Sequence, residues 1–556
     1  MKVVIVGGVA GGMSAATRLR RLDESADIVV FERGPEVSYA NCGLPYYIGG
    51  TIADRSSLLL QTPASLHRRF RLDVRVQHEV TAIDRAAKRV EVTDLTSGVR
   101  TTATYDKLIL APGATPRRPE PLSAIPTVSL RTVADADFIH AALDQPGARV
   151  IVVGAGYTGL EAVENLVARG AHVALLQRGA QLLSPLDPEM AAPITEAVRS
   201  HGVDVRLGVT IDRVEGARAI LSDGDSIRAE LIVDAAGVVP ETALARRAGL
   251  RIGRTEGIWV DASHRTSDPD VFAVGDGVEK SDLIGGDAAL VAMAGLANRH
   301  GRMVADVIAG RADAARPAVA TGIVSVFGIA AAKVGWSEKQ LQAAGQAYYA
   351  VHVHPGSHAG YYPGAQALAM KLLADPAFDR ILGAQIVGRQ GVDKRIDVIA
   401  TAIQAGLPAA ELAHLELAYA PQFGSAKDPV NILGYVAENT RAGITPTIQW
   451  HELEETQAAG ATLIDVRTAG EFAAGAIPGA INVPLDELRD RASELLREPL
   501  IVHCQVGLRG HLATRILTQL GGDVVNLDGG YRTWSAGMRS RLDADDADRS
   551  VRAAAA

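Results

Sequence analysis

The sequence predicts an α/β protein of several domains: two doubly wound α/β units, a separate α+β unit, and a further α/β unit at the C-terminal end. Three observations predict it. First, VVIVGG followed by SAATRLRRL near the start, and VIVVGAGYTGLEAVENLVARG from Val150, repeat one grammar of strand, glycine turn and helix. That grammar is the opening of a doubly wound dinucleotide-binding domain, so two such domains are expected. Second, from about Val324 the pattern changes to strand-like runs (YYAVHVH, ALAMKLL, ILGAQIVG) and a helix expected from Asp397, which reads as an α+β unit. Third, beyond the Gly- and Pro-containing NTRAGITPT the runs ATLIDVR, PLIVHC and DVVNLDGG resume strand-helix alternation.

The remaining strands follow from short apolar runs. KLILA (107–111), LIVDA (231–235) and VFAV (271–274) each end near a glycine turn, where sheets of this kind bind ligands. The expected division is a first domain over 1–115 and 245–323, a second over 116–244, the α+β unit over 324–440, a linker over 441–446 and the last domain over 447–542. The final stretch, DADDADRSVRAAAA (543–556), is polar and small enough to be expected as a disordered tail. A chain of 556 residues exceeds what one core usually serves, in keeping with this count.

Composition narrows the partners. The formal charge of -8 is spread without a long basic run, which argues against nucleic acid or an anionic membrane surface and favours small molecules. No segment supplies the roughly 20 apolar residues of a membrane span, and MKVVIVGG begins a strand directly, so the expected compartment is cytoplasmic. Two distant cysteines, Cys42 and Cys504, make no disulfide framework, and two thiols alone rarely hold zinc, so no metal is expected. Each cysteine then needs its own explanation.

Gly154, Gly156 and Gly159 form a complete G-x-G-x-x-G between a strand and a helix. The glycines permit a tight turn and close approach to a pyrophosphate, and the helix N-terminus offers N–H groups and a positive dipole end. At the end of the next strand stand Gln177, able to bond a ribose hydroxyl, and Arg178, able to pair with a 2'-phosphate, which leaves NADH and NADPH both open. The first motif is less regular, with Gly7, Gly8 and Gly11 around Val9, but its second strand ends in Glu32, at the position for ribose recognition. APGA, with Ala111 and Gly113, and FAVGDG, with Asp276, complete the set. Together these segments resemble the FAD-binding signature of the two-dinucleotide-binding-domain flavoproteins, over Met1 to about Thr440. The resemblance implies FAD in the first domain, NADH or NADPH in the second, and an α+β domain that forms a homodimer. It also implies an electron path from nicotinamide to flavin to a cysteine.

Cys42 lies in SYANCGLPYYIGG with no second cysteine nearby, unlike glutathione reductase-like members, which use two. SYANC resembles the active-site motif of the coenzyme A-disulfide reductases, with Ser38 and Asn41 in their family positions. A single thiolate can attack a disulfide and keep half of it as a mixed disulfide. That role needs a lowered pKa, which a helix N-terminus and a nearby flavin can provide. HAGYYPGA and AYAPQFGSAKDPVN resemble segments that deliver two tyrosines from the partner subunit, a role carried here to Tyr362 and Tyr419. Arg18, Arg20 and Arg21 on the first helix, and Asn298, Arg299 and Arg302 in GLANRHGR, are the residues expected to bind coenzyme A, with Arg18, Arg21, Asn298 and Arg302 foremost.

PLIVHCQVGLRGHLATRIL places Cys504 between a strand and a helix, in a short loop whose N–H groups can surround one sulfur, with Arg509 adding charge. With IDVRTAGEF, GAIPGAINVP and LDGGYRTW it resembles a rhodanese sulfurtransferase domain from about Thr447 to Gly537. The function implied is an NAD(P)H- and FAD-dependent reductase of CoA disulfide, CoA persulfide or polysulfide through Cys42, with Cys504 carrying sulfane sulfur. Two alternatives stand beside it. One is an NADH oxidase or peroxidase cycling Cys42 through sulfenic acid, although such enzymes usually carry a histidine where this chain has Ala10. The other is a non-catalytic sulfur-delivery or sensor protein.

Overall fold

The structure, a computed structural model, describes residues 1–117, 125–144 and 147–555. Its first sheet is parallel, in the order Val271–Ala273, Lys107–Leu110, Lys2–Val6, Asp27–Phe31, Asp73–Arg75. The central strands read as unbroken β-branched runs because both faces are covered. One face carries the helices Ala10–Leu22 and Ala294–Ile308; the other is lined by the antiparallel strands His78–Asp84, Arg89–Asp94 and Arg100–Thr104. Val271–Ala273 adds an edge from far along the chain, so the first domain is built from two separate segments.

The second sheet is also parallel: Asp204–Leu207, His172–Gln177, Arg149–Val153, Leu231–Asp234, Thr127–Ser129. The Tyr157–Ala168 helix follows its glycine turn. The third sheet is antiparallel, running Gly322–Val326, Ile329–Gly335, Ile381–Gly388, Leu368–Ala374, Tyr349–Val353. After a short helix, Glu338–Ala343, its main helix spans Val392–Ala405 and so begins before the expected Asp397. The buried positions Val392, Ile396, Ile399 and Ile403 set a helical period that starts at the earlier residue. The fourth sheet is parallel again: Thr447–Ile448, Val524–Leu527, Leu500–His503, Thr462–Asp465, Ile481–Asn482.

The expected disordered tail is corrected over 543–555; Ala556 lies outside the described residues. A single helix runs Gly530–Ala555 and lies along the Pro188–Ser200 helix of the second domain. Ala536, Ser540 and Ala547 are buried on it, and Asp543 pairs with Arg199 at 2.8 Å. This stripe has helical spacing but is made of small and polar residues, so hydropathy hid it. No helix of the described residues is long and apolar enough to cross a membrane.

Where the second and third sheets meet, Lys371 is buried with its Nζ 2.9 Å from Asp187, 2.5 Å from Glu189 and 3.0 Å from Glu338. The three carboxylates are close enough to share a cation, and the lysine ammonium is the cation they hold. Burying such charges is tolerable only when they are paired this closely.

Candidate active site

Cys42 sits in a single turn of 3-10 helix, Asn41–Gly43, that runs into the Leu44–Ile48 helix. The turn is tied to the first glycine motif through Ser38, which adopts a left-handed φ of 51°. The Ser38 N–H donates to the Gly8 carbonyl at 2.8 Å, and the Ser38 carbonyl accepts from Leu60 N–H at 3.0 Å. A non-glycine residue held there costs on the order of 1 kcal/mol, a strain characteristic of functional sites.

Cys42 is exposed to a cleft of about 420 Å³, whose walls include Val9, Ser38, Asn41, Arg69 and Asn298. A second opening of about 290 Å³ is lined by Arg21, Arg299 and Arg302 and shares Ser14, Thr17 and Asn298 with the first. The two therefore join, with a thiol toward one end and three guanidinium groups at the other. The Ser14 hydroxyl donates to Asn298 Oδ1 at 2.5 Å, fixing the wall between them. Arg18 is corrected here: its guanidinium is spent on Asp306 at 2.6 Å and it lines neither opening. Arg20 is corrected as well: it is buried, donating to the Phe70 and Glu24 carbonyls at 2.8 and 2.7 Å, while Arg21, Arg299 and Arg302 line the second opening and Arg69 the first. Arg69 was missed because HRRF in the Pro63–Phe70 helix reads like any solvated basic face.

The charges around Cys42 oppose its ionisation. Partial desolvation in the cleft pushes the thiol up, and the carboxylates of Glu161 and Asp276 push in the same direction. Burial also raises Glu161, partly offset by the Tyr46 hydroxyl donating to it at 3.2 Å. The expected lowering of the thiol is therefore not supplied by the chain's own side chains.

The two glycine turns share one geometry. Gly7 and Gly154 adopt φ of 103° and 99°, and a Cβ on them would lie 2.1 Å from the Ala111 carbonyl oxygen and 2.4 Å from that of Ala235. Only glycine allows the adjacent strand that close. Gly8 and Gly11 continue the first turn into its helix. Glu32, at the end of Asp27–Phe31, accepts from Gly8 N–H at 2.7 Å and Gly34 N–H at 2.8 Å, with lone pairs left for a ribose. A Cβ added at Gly113, Gly275 or Gly156 would meet no atom within 4 Å, so there is room at both strand ends. Asp276 borders that room and faces Arg131 at 3.8 Å. Glu32, Asp276 and this open glycine cradle fit a flavin dinucleotide in the first domain. In the second, Gln177 Oε1 accepts from Ala155 N–H at 3.1 Å, and Arg178 is exposed with no ion pair among the described residues.

The structure does not pair the two tyrosines taken from the sequence. The Tyr419 hydroxyl meets that of Tyr361 at 2.7 Å, whereas Tyr362 packs edge-on to His358 with ring centroids 5.7 Å apart. The expected partner of Tyr419 is Tyr362, whereas within one chain it is the adjacent Tyr361 that meets it, since neighbours in a turn point in different directions whatever their spacing to a motif. All three tyrosines are exposed, and none lines the Cys42 cleft of the same chain.

Cys504 is buried at the end of Leu500–His503, and Gly507 N–H donates to its Sγ at 3.1 Å, just before the Leu508–Gln519 helix. Arg509 forms a two-pronged pair with Glu471, at 2.7 and 2.6 Å, which holds Glu471 down at about 2. Buried Arg467 forks onto Asp465 at 2.7 Å and lies over the Tyr531 ring at 4.3 Å. No residue of the fourth sheet's domain lines the Cys42 cleft, so the two sulfur sites are separate.

Two dinucleotide folds in tandem, a lone thiol at the mouth of the first and an antiparallel third unit define an oxidoreductase that works through a cysteine. The chain belongs to the pyridine nucleotide-disulphide oxidoreductase family, which matches residues 1–301, with the dimerisation domain of that family over 321–429 and a rhodanese-like domain over 449–537. It is 35% identical over 440 residues to a coenzyme A disulfide reductase of Staphylococcus aureus (strain JH9), covering 79% of this chain and all of the relative. The reduced Bacillus anthracis CoADR-RHD superposes with a TM-score of 0.94 at 43% identity, over 97% of this chain and 98% of that one. The NAD-dependent persulfide reductase from A. fulgidus does so with 0.90 at 35% identity, over 96% and 100%.

Proposed function

We propose that the protein is an NAD(P)H- and FAD-dependent reductase of CoA disulfide and CoA persulfide, working as a homodimer, with a rhodanese domain that carries sulfane sulfur on Cys504. The observation that carries this reading is the joined cleft: one redox thiol at one end, and Arg21, Arg299 and Arg302 at the other. That is the arrangement a disulfide of a long, phosphorylated thiol requires.

FAD held in the first domain would supply the two-electron chemistry that links the nicotinamide to the sulfur of Cys42. The residues of the chain do the rest. Glu32, Asp276 and the Gly7 turn hold the flavin nucleotide, and the Gly154 turn with Gln177 and Arg178 holds the nicotinamide nucleotide. The Asn41–Gly43 turn aims the Cys42 thiolate at the substrate sulfur. Attack on CoA disulfide forms a Cys42–CoA mixed disulfide and expels one CoA thiolate, which takes a proton from the Tyr361–Tyr419 pair of the partner subunit. Two electrons then split the mixed disulfide, releasing the second CoA and restoring the Cys42 thiolate, so one NAD(P)H yields two thiols. With CoA persulfide the products are one CoA and hydrogen sulfide. The Gly507 N–H, 3.1 Å from Cys504 Sγ, supports a persulfide anion there between donor and acceptor thiols.

Anaerobic NADH and NADPH oxidation by wild type, Cys42→Ser and Cys504→Ser tests this, with CoA disulfide, CoA persulfide and polysulfide offered separately. Cys42→Ser is expected to retain flavin yet turn over every acceptor at roughly a thousandth of the wild-type rate or less. Cys504→Ser is expected to lose only polysulfide-driven turnover. Oxidation of NADH by oxygen alone, with no response to sulfur acceptors, would replace the reading by an oxidase.

A further inference from the structure

The third domain reaches into the rhodanese domain at one point directly behind the Cys504 loop. His352, on the Tyr349–Val353 strand, is 3% exposed and lies between two carboxylates from different domains. Its Nδ1 is 2.7 Å from Asp528 Oδ2, and its Nε2 is 3.1 Å from Glu189 Oε1. A ring with a carboxylate at each nitrogen must carry protons on both, since a bare nitrogen would set lone pair against lone pair. The same Asp528 oxygen also accepts the His352 backbone N–H at 2.9 Å and the Gln449 amide at 3.3 Å.

Asp528 opens the segment that frames the sulfur site. Gly529 and Gly530 follow it, and a Cβ on Gly530 would stand 2.4 Å from the Cys504 carbonyl oxygen. The next two N–H groups, of Tyr531 and Arg532, donate to the carbonyls of Cys504 and Gln505 at 2.8 and 3.1 Å. Thr533, one residue further, meets His354 Nε2 at 2.8 Å, a second contact from the same strand end of the third domain. We propose that His352 is a positioning residue for sulfur transfer: clamped on Asp528, it holds the 528–532 segment that fixes the backbone of the Cys504 loop, so the reductase body shapes the rhodanese site. This rests on the reading of Cys504 as the sulfur carrier.

The charged and titratable groups facing His352 are Asp528, Glu189, and the Lys371 opposite it in the neighbouring strand, with Asp187 and Glu338 beyond the lysine. His354, two residues along the chain, feels both His352 and Arg532 electrostatically. Burial alone pushes His352 down, but the hydrogen bonds to Asp528 and Glu189 outweigh it and hold the ring up at about 9. The clamp is thus fully made at neutral pH and released as pH rises through that value.

The test uses the full-length holoenzyme as wild type, His352→Gln and Asp528→Asn. Three quantities are read on each: sulfur transfer from polysulfide to CoA, the rate of Cys504 alkylation by iodoacetamide followed by peptide mass spectrometry, and NADH-driven CoA disulfide reduction, which needs only Cys42. Either substitution is expected to cut sulfur transfer roughly tenfold or more and to change the Cys504 alkylation rate several-fold, while disulfide reduction stays within about twofold. The double variant should lose no more than either single one, because both break one contact. Wild-type sulfur transfer should fall as pH rises through about 9, and His352→Gln should lack that alkaline limb. An unchanged alkylation rate in both variants, an intact alkaline limb in His352→Gln, or disulfide reduction falling in step with sulfur transfer would overturn the proposal. If Cys504→Ser still transfers sulfur while alkylation responds as expected, the carrier reading falls and the positioning role stands.

Discussion

At the scale of single residues, the environment of Cys42 departs most from what its motif implies. The chain places Glu161 and Asp276 where they disfavour a thiolate, so the helix turn and the bound cofactor must supply the opposing effect. Glu161→Gln removes one of the charges that push the thiol up. Its Cys42 alkylation profile should move to lower pH, by up to about one unit; a move to higher pH would contradict this account of the site. The tyrosines give a second residue-level contrast. Tyr361→Phe with Tyr419→Phe is expected to slow disulfide turnover by roughly 10²-fold while flavin reduction by NADH persists, and Tyr362→Phe to change little. Stopped-flow traces separate the two half-reactions, and equal losses in Tyr362→Phe would restore the choice made from sequence alone. Arg178, exposed and unpaired among the described residues, is expected to serve a 2'-phosphate. Arg178→Ala should raise KM for NADPH about tenfold and leave NADH nearly unchanged.

Elements explain why these residues meet. The Gly7 turn lets the Lys2–Val6 strand, the Ala10–Leu22 helix and Ala111 approach within backbone contact, and the same turn anchors Ser38 and hence the Cys42 loop. Gly7→Ala combines a forced left-handed φ with a 2.1 Å overlap. It is expected to cost roughly 3 kcal/mol or more and to yield protein with little flavin, measured by the absorbance ratio of the purified protein. The Gly530–Ala555 helix is the other telling element. Its buried stripe holds Ala547 against Gly208, the residue that follows Leu207, the strand partner of Gln177. Ala547→Asp buries an unpaired carboxylate there, so limited proteolysis should cut the variant's last turns first, whereas the wild-type tail resists. Early cleavage of the wild-type tail would return the reading of 543–556 to disorder.

For the whole molecule, the buried polar cluster joining three domains is the feature with the widest consequence. His352 has its folded-state pKa raised to about 9, above the ordinary histidine value. The stability it contributes is therefore complete below that ordinary value and is lost as pH rises through about 9. Calorimetry should show the rhodanese transition drop by several degrees between about pH 7 and about pH 10, and His352→Gln should flatten that dependence. The joined cleft and the rhodanese site lie on different domains, and no residue of the rhodanese domain lines the Cys42 cleft of the same chain. On the proposed mechanism the Tyr361–Tyr419 pair serves the partner subunit's Cys42, so a dimer is required for disulfide turnover.

The sequence by itself determined the two dinucleotide folds, the antiparallel unit, the rhodanese-like unit and both cysteines. Each rests on a local signal: a glycine turn between strand and helix, a period of two, or a thiol at a strand end. What only the tertiary structure decided depends on groups far apart in the chain. Arg18 is held by Asp306, which is 288 positions away, and it is Tyr361, not Tyr362, that meets Tyr419 within the chain, by the direction in which a turn points its side chains. Ala536, Ser540 and Ala547 make a docking face whose small residues give hydropathy nothing to read. His352 shows no motif at all, because its meaning comes from Asp528 and Glu189, carboxylates that packing alone brings to its two nitrogens.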